Sequence, residues 1–289
     1  MAITYQSGHN LIIGKNVSIG ENVRFGHNCI VEDNVVIQNS CFIDNNTIIR
    51  SGVQIGAKSN IGSNCIIGEY GMDFYVDKEF HGNSLFIGKN ALIRSGTIIY
   101  TGSKIGKDFQ TGHRVTIREK SSFGNHVSIG TLCDIQGNCH LGDYVRLHSN
   151  VHVGQLSVID SFAWIFPYVV LTNDPTPPSE NLVGVHICSF AIVATGAIIM
   201  PGIKIGQDSL VGAGAIVTKP VDSYSVVVGN PAKRISDIRN IRNKITGEQL
   251  YPWRHYFKKY MPWEESSFEN WVSSLSDEEK SFFKVINIE

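Results

Sequence analysis

The sequence predicts a parallel β-solenoid, and three observations carry that expectation. An aliphatic or aromatic residue recurs every six positions from Ile13 to Ile67 without a slip in phase. Gly often follows it, with Asn or Asp close behind, as in Ile19-Gly20-Glu21-Asn22, which suits corners that need unusual backbone angles. Four places after each periodic residue the chain prefers a small apolar side chain, such as Val17, Val23, Val35, Ala91 or Ala215. A six-residue period fits neither a helix at about 3.6 residues per turn nor a free-standing alternating strand. It fits a short strand plus a corner, three of which close one coil, so that stacked coils bury one aliphatic column.

The first run comprises Ile13, Ile19, Phe25, Val31, Ile37, Ile43, Ile49, Ile55, Ile61 and Ile67. Successive strands fall on three faces, named A, B and C from Ile13 onward. A second run extends from Ile87 to Leu171 in the same phase and includes Thr111 in place of an aliphatic residue. A third runs from Ile187 to Val217. The interruptions, loops 68–86 and 172–186, both follow a face A residue, so both should leave at the edge between faces A and B. At about 4.8 Å per coil, the roughly five coils between them put the loops on the order of 24 Å apart. Long loops in a compact fold are commonly functional.

The solenoid should occupy residues 1–234 and a helical, aromatic-rich extension residues 235–289. Ile235, Ile238 and Ile241 recur at helical spacing, and Ser276 with Glu279 forms a capping box for a short helix through Phe282 and Phe283. Between Lys233 and Trp263 eight Lys or Arg face only Asp237 and Glu248, on a chain whose formal net charge is -1. The aromatics there either pack on the coils or present a Trp or Tyr to a nucleotide base.

Composition narrows the partners. The charged fraction of 18% and the near-zero net charge give no electrostatic reason to expect nucleic acid or an acidic membrane surface. No stretch approaches the roughly 18 unbroken apolar residues that span a bilayer. The start lacks a signal-peptide pattern, so a soluble cytoplasmic protein is expected. Five of the six cysteines (Cys29, Cys41, Cys65, Cys133 and Cys139) occupy the small inward slot, and no C-x-x-C pair exists. They are therefore expected to pack as small hydrophobes rather than bind metal.

His113 stands two residues past Thr111, at a corner where a side chain points outward. An amine or hydroxyl attacking a thioester must lose a proton, which an imidazole can accept at neutral pH. A corner backbone N–H can stabilise the oxyanion that forms. His9 and His27 share this phase without a second signal beside them.

The repeat resembles that of the hexapeptide-repeat acyltransferases, which implies a left-handed parallel β-helix, commonly a homotrimer with active sites between subunits. Thr111-Gly112-His113-Arg114-Val115-Thr116-Ile117 resembles the motif carrying the general-base histidine of lipid A N- and O-acyltransferases. This chain has Arg114 where that family usually has Asn or Asp. Ile67-Gly68-Glu69-Tyr70-Gly71-Met72-Asp73-Phe74 resembles a substrate loop of the N-acyltransferases, implying roles for Tyr70 and Phe74. Leu171-Thr172-Asn173-Asp174-Pro175 is similar to the Thr-Asn-Asp loop of nucleotide-sugar N-acetyltransferases, which implies that Asn173 and Asp174 lie near the amino sugar. It then departs from the Tyr-Pro-Arg usual there. Separately, Thr131 and Ser149 repeat the phase of His113 on the C-to-A edge, a polar outward strip with His148 beside it.

The last coils and the Gly229-Asn230-Pro231-Ala232-Lys233 exit are similar to the acetyl-CoA-binding end of that family. This implies cofactor contacts at Ala197, Gly212, Ala213, Lys219, Lys233 and Arg234. The expected reaction is acyl transfer from acetyl-CoA to the amino group of a dTDP- or UDP-linked amino sugar, without a metal. The alternatives are an O-acetyltransferase, a zinc enzyme like the γ-class carbonic anhydrases using His113, His148 and His152, and a non-catalytic solenoid.

Overall fold

The computed structural model describes residues 7–77 and 84–282. The middle of the first loop, and Phe283 of the expected last helix, lie outside them. Its main body is a left-handed parallel β-helix whose three sheets hold 11, 10 and 12 strands. Face A runs from Ile12–Ile13 to Ile216–Val217, face B from Ser18–Ile19 to Lys204–Ile205, and face C begins at Arg24–Phe25. The register repeats every coil, Ile13 on Val31 and Ile19 on Ile37. It is held across the interruptions, where Ile55 pairs Ile87 and Leu171 pairs Ile199. Both loops leave face A and return on face B, as the phase of the repeat requires.

The six-residue period works because each strand is two residues long and each corner turns through one residue with positive φ. Asn16, Asn22, Asn28 and Asn34 all hold φ between 55° and 59°, a region that Asn tolerates better than most side chains. The periodic residue and the one four places on point inward, and Ile37, Ile43, Ile49, Ile55, Ile61 and Ile67 are almost completely buried. Each such side chain contributes roughly 1.5–3 kcal/mol of transfer free energy. Cys29, Cys41, Cys65, Cys133 and Cys139 are buried in that column as expected. Burial raises the thiol of Cys65 to about 11, which keeps it protonated and unreactive.

The three edges differ in what their corners carry. On the C-to-A edge a ladder links the amides of Asn10, Asn28, Asn46 and Asn64, each donating to the next at 2.9–3.3 Å. It stops where Gly96 and Arg114 take the following corners. On the B-to-C edge the corner residues His126, Tyr144, Phe162 and Phe190 stack ring on ring, with centroids 4.5, 5.1 and 4.9 Å apart. The A-to-B edge carries the two loops.

The C-terminal segment corrects one expectation. Ile235, Ile238 and Ile241 do not share an α-helix: Lys233–Asp237 is a strand, antiparallel to Ser225–Val228, and Ile238 opens a three-residue 3-10 helix, Ile238–Asn240, that ends before Ile241. The last coil presents unpaired backbone groups at an open sheet edge, and a returning strand satisfies them where a helix would not. Helix α1 (Met72–Val76) belongs to the first loop, and α2 (Phe268–Ser274) and α3 (Asp277–Phe282) close the chain. The expected capping box starts α3: Ser276 Oγ receives the Glu279 N–H at 3.2 Å, and Glu279 Oε2 receives the Ser276 N–H at 2.8 Å.

The extension wraps the aromatic edge. Trp253, Met261, Trp263, Phe268 and Val272 form a second core with Phe162, Phe190 and Ile192. Trp253 Nε1 donates to the carbonyl of Phe190 at 3.1 Å. Asp208, the next corner after Phe190, makes a buried ion pair with Arg254, whose guanidinium also lies 4.7 Å from the Phe190 ring centroid. Packing is thus the role the structure gives these tryptophans.

The ring stack on the B-to-C edge and face C each carry a pH-sensitive histidine. Burial holds His126 below the usual imidazole range, against the opposing pull of Asp108, and burial with Arg146 does the same to His148. The folded chain therefore binds these protons less readily than the unfolded one. Their contribution to stability is complete above the unfolded imidazole value of about 6.5 and is lost as pH falls below it. The thermal midpoint should drop between about pH 7 and 5.5, and His126→Phe, which keeps a ring in the stack, should flatten that dependence.

Candidate functional site

His113 occupies the exposed corner that the repeat assigns it, on the C-to-A edge. Its N–H donates to Thr131 Oγ1 at 3.2 Å and its carbonyl accepts from the Leu132 N–H at 2.9 Å, which fixes its backbone to the next coil. A cavity of about 470 Å³ opens here, lined by Asn64, Ser95, Gly96, His113, Arg114, Thr131 and Leu132. Arg114 takes the positive-φ corner position, at 54°.

The coil carrying His113 departs from the others in one hydrogen bond. On face C the N–H after the periodic residue donates to the periodic carbonyl of the next coil, as Gly62 does to Ile93 and Gly112 to Ile129. The N–H of Arg94 donates instead to Thr111 Oγ1 at 2.9 Å, and the Arg94 guanidinium takes the Thr111 carbonyl at 3.1 Å. The hydroxyl thus explains a polar residue at a position otherwise held by Ile, Val, Leu or Phe. Thr97 Oγ1, buried 3.4 Å away, gives it a polar neighbour inside the solenoid.

The remaining expected site residues divide among edges. Gly212 and Ala213 sit on the C-to-A edge, Ala213 in the phase of His113 and five coils further along. The Gly229–Ala232 exit crosses the same edge, where Ile216 donates to the Gly229 carbonyl and accepts from the Ala232 N–H. Lys233 pairs with Val228 at that side of the solenoid end, and exposed Arg234 lies next to it, 3.9 Å from Asp237. Ala197 is fully buried with its methyl in the core, so its side chain cannot contact a cofactor. Lys219 lies past Val217, on the A-to-B edge.

Asn173 and Asp174 are on the A-to-B edge too. The Asp174 carboxylate braces its own loop, accepting from Thr176 N–H at 3.0 Å and from Ser179 N–H and Oγ at 2.9 and 2.7 Å. The Ser179 hydrogen bonds hold its carboxyl below the usual range.

Tyr70 stacks on Phe74 at 4.0 Å, donates to Glu32 Oε2 at 2.7 Å, and lies under the Arg50 guanidinium. Burial and the Glu32 carboxylate push its phenol up to about 12. Tyr70 therefore pins the first loop to face A. His148 lies on face C, stacked on Phe166 at 4.6 Å. His152 is on face A, 3.2 Å from Asp134. His113, His148 and His152 thus occupy an edge and two different faces and do not meet within one chain.

Two groupings had no expectation attached. One is a groove of about 620 Å³ between the solenoid and the extension, lined by Asp108, His126, Tyr144, Arg146, Tyr260 and Glu264 among others. The other involves Cys188, which stands outside the inward slot; that phase was visible in the sequence.

A left-handed β-helix with an exposed histidine corner and a glycine- and alanine-lined end defines a class of hexapeptide-repeat scaffolds. The comparisons agree. Residues 10–44 and 34–69 match the bacterial transferase hexapeptide (six repeats), and residues 194–219 match the hexapeptide repeat of succinyl-transferase. Those stretches are hexapeptide repeats of the transferase type, and the chain is similar to acetyltransferases over part of its length.

A Schizosaccharomyces pombe protein with acetyltransferase in its name is 27% identical over 137 residues, 47% of this chain and 53% of that one. Chloramphenicol acetyltransferase of Klebsiella aerogenes is 40% identical over 58 residues, 20% of this chain and 25% of that one. The chain thus spans about half or less of the length of these relatives. LpxA of Acinetobacter baumannii superposes with a TM-score of 0.43 at 20% identity, covering 80% of this chain and 74% of that one. Among the described residues no helix is long and apolar enough to cross a membrane.

Proposed function

We propose that the protein transfers an acyl group, acetyl in the simplest case, from acyl-CoA to the amino group of a nucleotide-linked amino sugar. The observation that carries the reading is the C-to-A edge, which puts the His113 cavity in one row with Gly212, Ala213 and the Gly-Asn-Pro-Ala exit. A pantetheine arm lying along this edge would bring its thioester to the imidazole. His113 then takes the proton of the attacking amine, the amine adds to the thioester carbonyl, and the CoA thiolate leaves and is protonated. Small corner residues leave the backbone accessible, and Lys233 and Arg234 offer cations for the CoA phosphates.

The loop residues lie on the opposite edge of face A from His113, so a single chain separates base and sugar loops. Self-association supports their meeting. The outward residues ahead of the periodic position on face A are apolar in the outer coils (Ile12, Ile30, Ile48, Ile66 and Ile98, then Val170, Ile198 and Ile216) and polar in the three between (Thr116, Asp134 and His152), all at least partly exposed. Copies arranged around a parallel axis with face A inward place the A-to-B edge of one against the C-to-A edge of the next. His113 is two coils beyond the first loop and three before the second, roughly 10 and 14 Å along the axis, so both loops of a neighbour flank it. A homotrimer is the assembly this reading adopts.

The test is release of free CoA thiol from acetyl-CoA across a panel of dTDP- and UDP-linked amino sugars, with the corresponding hydroxyl sugars alongside. Turnover confined to amino sugars is expected. Turnover only with hydroxyl acceptors would make the protein an O-acyltransferase, and no thiol release with any acceptor would overturn the reading.

A further inference from the structure

Face B gathers three different metal-ligating side chains where the second loop rejoins the solenoid. Val158–Ile159 pairs with His186–Ile187 in register. Asp160 and Cys188, each one residue past an inward isoleucine, are therefore lateral neighbours on adjacent coils. His186, one residue before Ile187, reaches across, and its Nε2 lies 2.9 Å from Asp160 Oδ2. One ligand atom from each of Asp160, His186 and Cys188 lies within 4.8 Å of the other two. All three residues are partly exposed, so an ion has access. Burial raises the Cys188 thiol above its usual range, opposed by Lys204 on the next coil, so the thiol stays protonated until an ion arrives.

Core packing does not account for Cys188. The small slot after Ile187 is filled by Ala191, which is fully buried, whereas the other five cysteines occupy such slots themselves. The cysteine that faces out is the one beside a histidine and a carboxylate. A sulfur, an imidazole nitrogen and a carboxylate oxygen are a donor set for zinc and related ions, while calcium and magnesium take oxygen ligands.

We propose that Asp160, His186 and Cys188 bind a divalent transition ion of the zinc type, with the fourth position left to water. Donor atoms on a tetrahedral zinc lie about 3.5 Å apart, given metal–ligand bonds of about 2.0–2.3 Å. Closing the cluster therefore requires shifts of about 1 Å, within reach of side-chain rotation at an exposed face. The Cys188 thiol gives its proton to solvent as the metal–sulfur bond forms. The ion ties the return of the second loop to the preceding coil, so its first effect is on stability. This inference is independent of the acyl-transfer reading.

The test is titration of the reduced, chelator-treated full chain with cobalt(II) under argon. One equivalent should produce a thiolate-to-cobalt charge-transfer band in the near ultraviolet and the strong visible bands of a four-coordinate ion. Cys188→Ser should abolish the charge-transfer band, and His186→Ala and Asp160→Asn should each weaken binding at least about tenfold. Zinc should displace cobalt and raise the thermal midpoint of the wild type, with no shift in Cys188→Ser, whose fold is checked by circular dichroism. Absence of a charge-transfer band, or its survival in folded Cys188→Ser, would overturn the assignment.

Discussion

His113→Ala is expected to lower kcat by about 10²–10⁴-fold, the usual contribution of a positioned general base, while the oligomer and thermal midpoint stay unchanged. The structural half of that expectation rests on what His113 contributes to the fold. Its two hydrogen bonds, from N–H to Thr131 and from Leu132 to its carbonyl, are made by backbone atoms that alanine retains. Its side chain is exposed and outside the hydrophobic core. Removing the imidazole should therefore subtract chemistry without subtracting packing. Steady-state kinetics with the acceptor found in the thiol-release screen, together with sedimentation of the variant, measure both halves. An undiminished kcat would remove His113 from the mechanism and leave the scaffold intact.

Asp208→Asn should cost about 3–5 kcal/mol, the usual penalty for leaving one member of a buried ion pair without its countercharge. Arg254 has little access to water, and its charge is matched by Asp208 and by the faces of Phe190 and Phe268. The loss should be local, because each coil contacts mainly its neighbours and the extension grips the solenoid along one edge. Denaturant unfolding followed by tryptophan emission should show an early transition as Trp253 and Trp263 leave the aromatic edge, followed by unfolding of the coils. The double change Asp208→Leu with Arg254→Met replaces both charges with apolar groups and should recover most of the loss. A single unshifted transition in Asp208→Asn would show that the pair does not hold the extension.

The coils, their three faces, the shared departure edge of both loops and the placement of five cysteines were legible because a solenoid writes its geometry into a strict period. One inward residue every six positions is a local requirement, and a linear pattern can state it. The corner of His113 was legible for the same reason. The pairing of Arg94 with the Thr111 hydroxyl was not, since a threonine at a periodic position shows only that a polar group is tolerated there.

The extension was misread at Ile235 because spacing alone cannot reveal an open sheet edge waiting to be paired. The stack of His126, Tyr144 and Phe162 was written in the sequence, one coil of 18 residues apart, but its meaning depends on what the extension lays against it. Cys188, His186 and Asp160 meet only through strand register across the second loop. Of the implied cofactor residues, Ala197 offers only its backbone, because the slot that favours alanine is the slot that faces inward.

The asparagine ladder from Asn10 to Asn64 gives the molecule an interchangeable stem. Over that stretch one edge is a repeated amide contact, indifferent to how many coils precede it, and only its last member, Asn64, lines the His113 cavity. From Gly96 onward the coils are individually marked, by the Thr111 exchange, the aromatic corners, the second loop and the Asp208 anchor. Whole coils ahead of Glu32, which with Arg50 holds the first loop, could be added to or lost from the stem, as beads from one end of a string, without altering the spacing between His113 and the far end of the solenoid. Past His113, each coil removed would shorten the edge along which the proposed cosubstrate would lie.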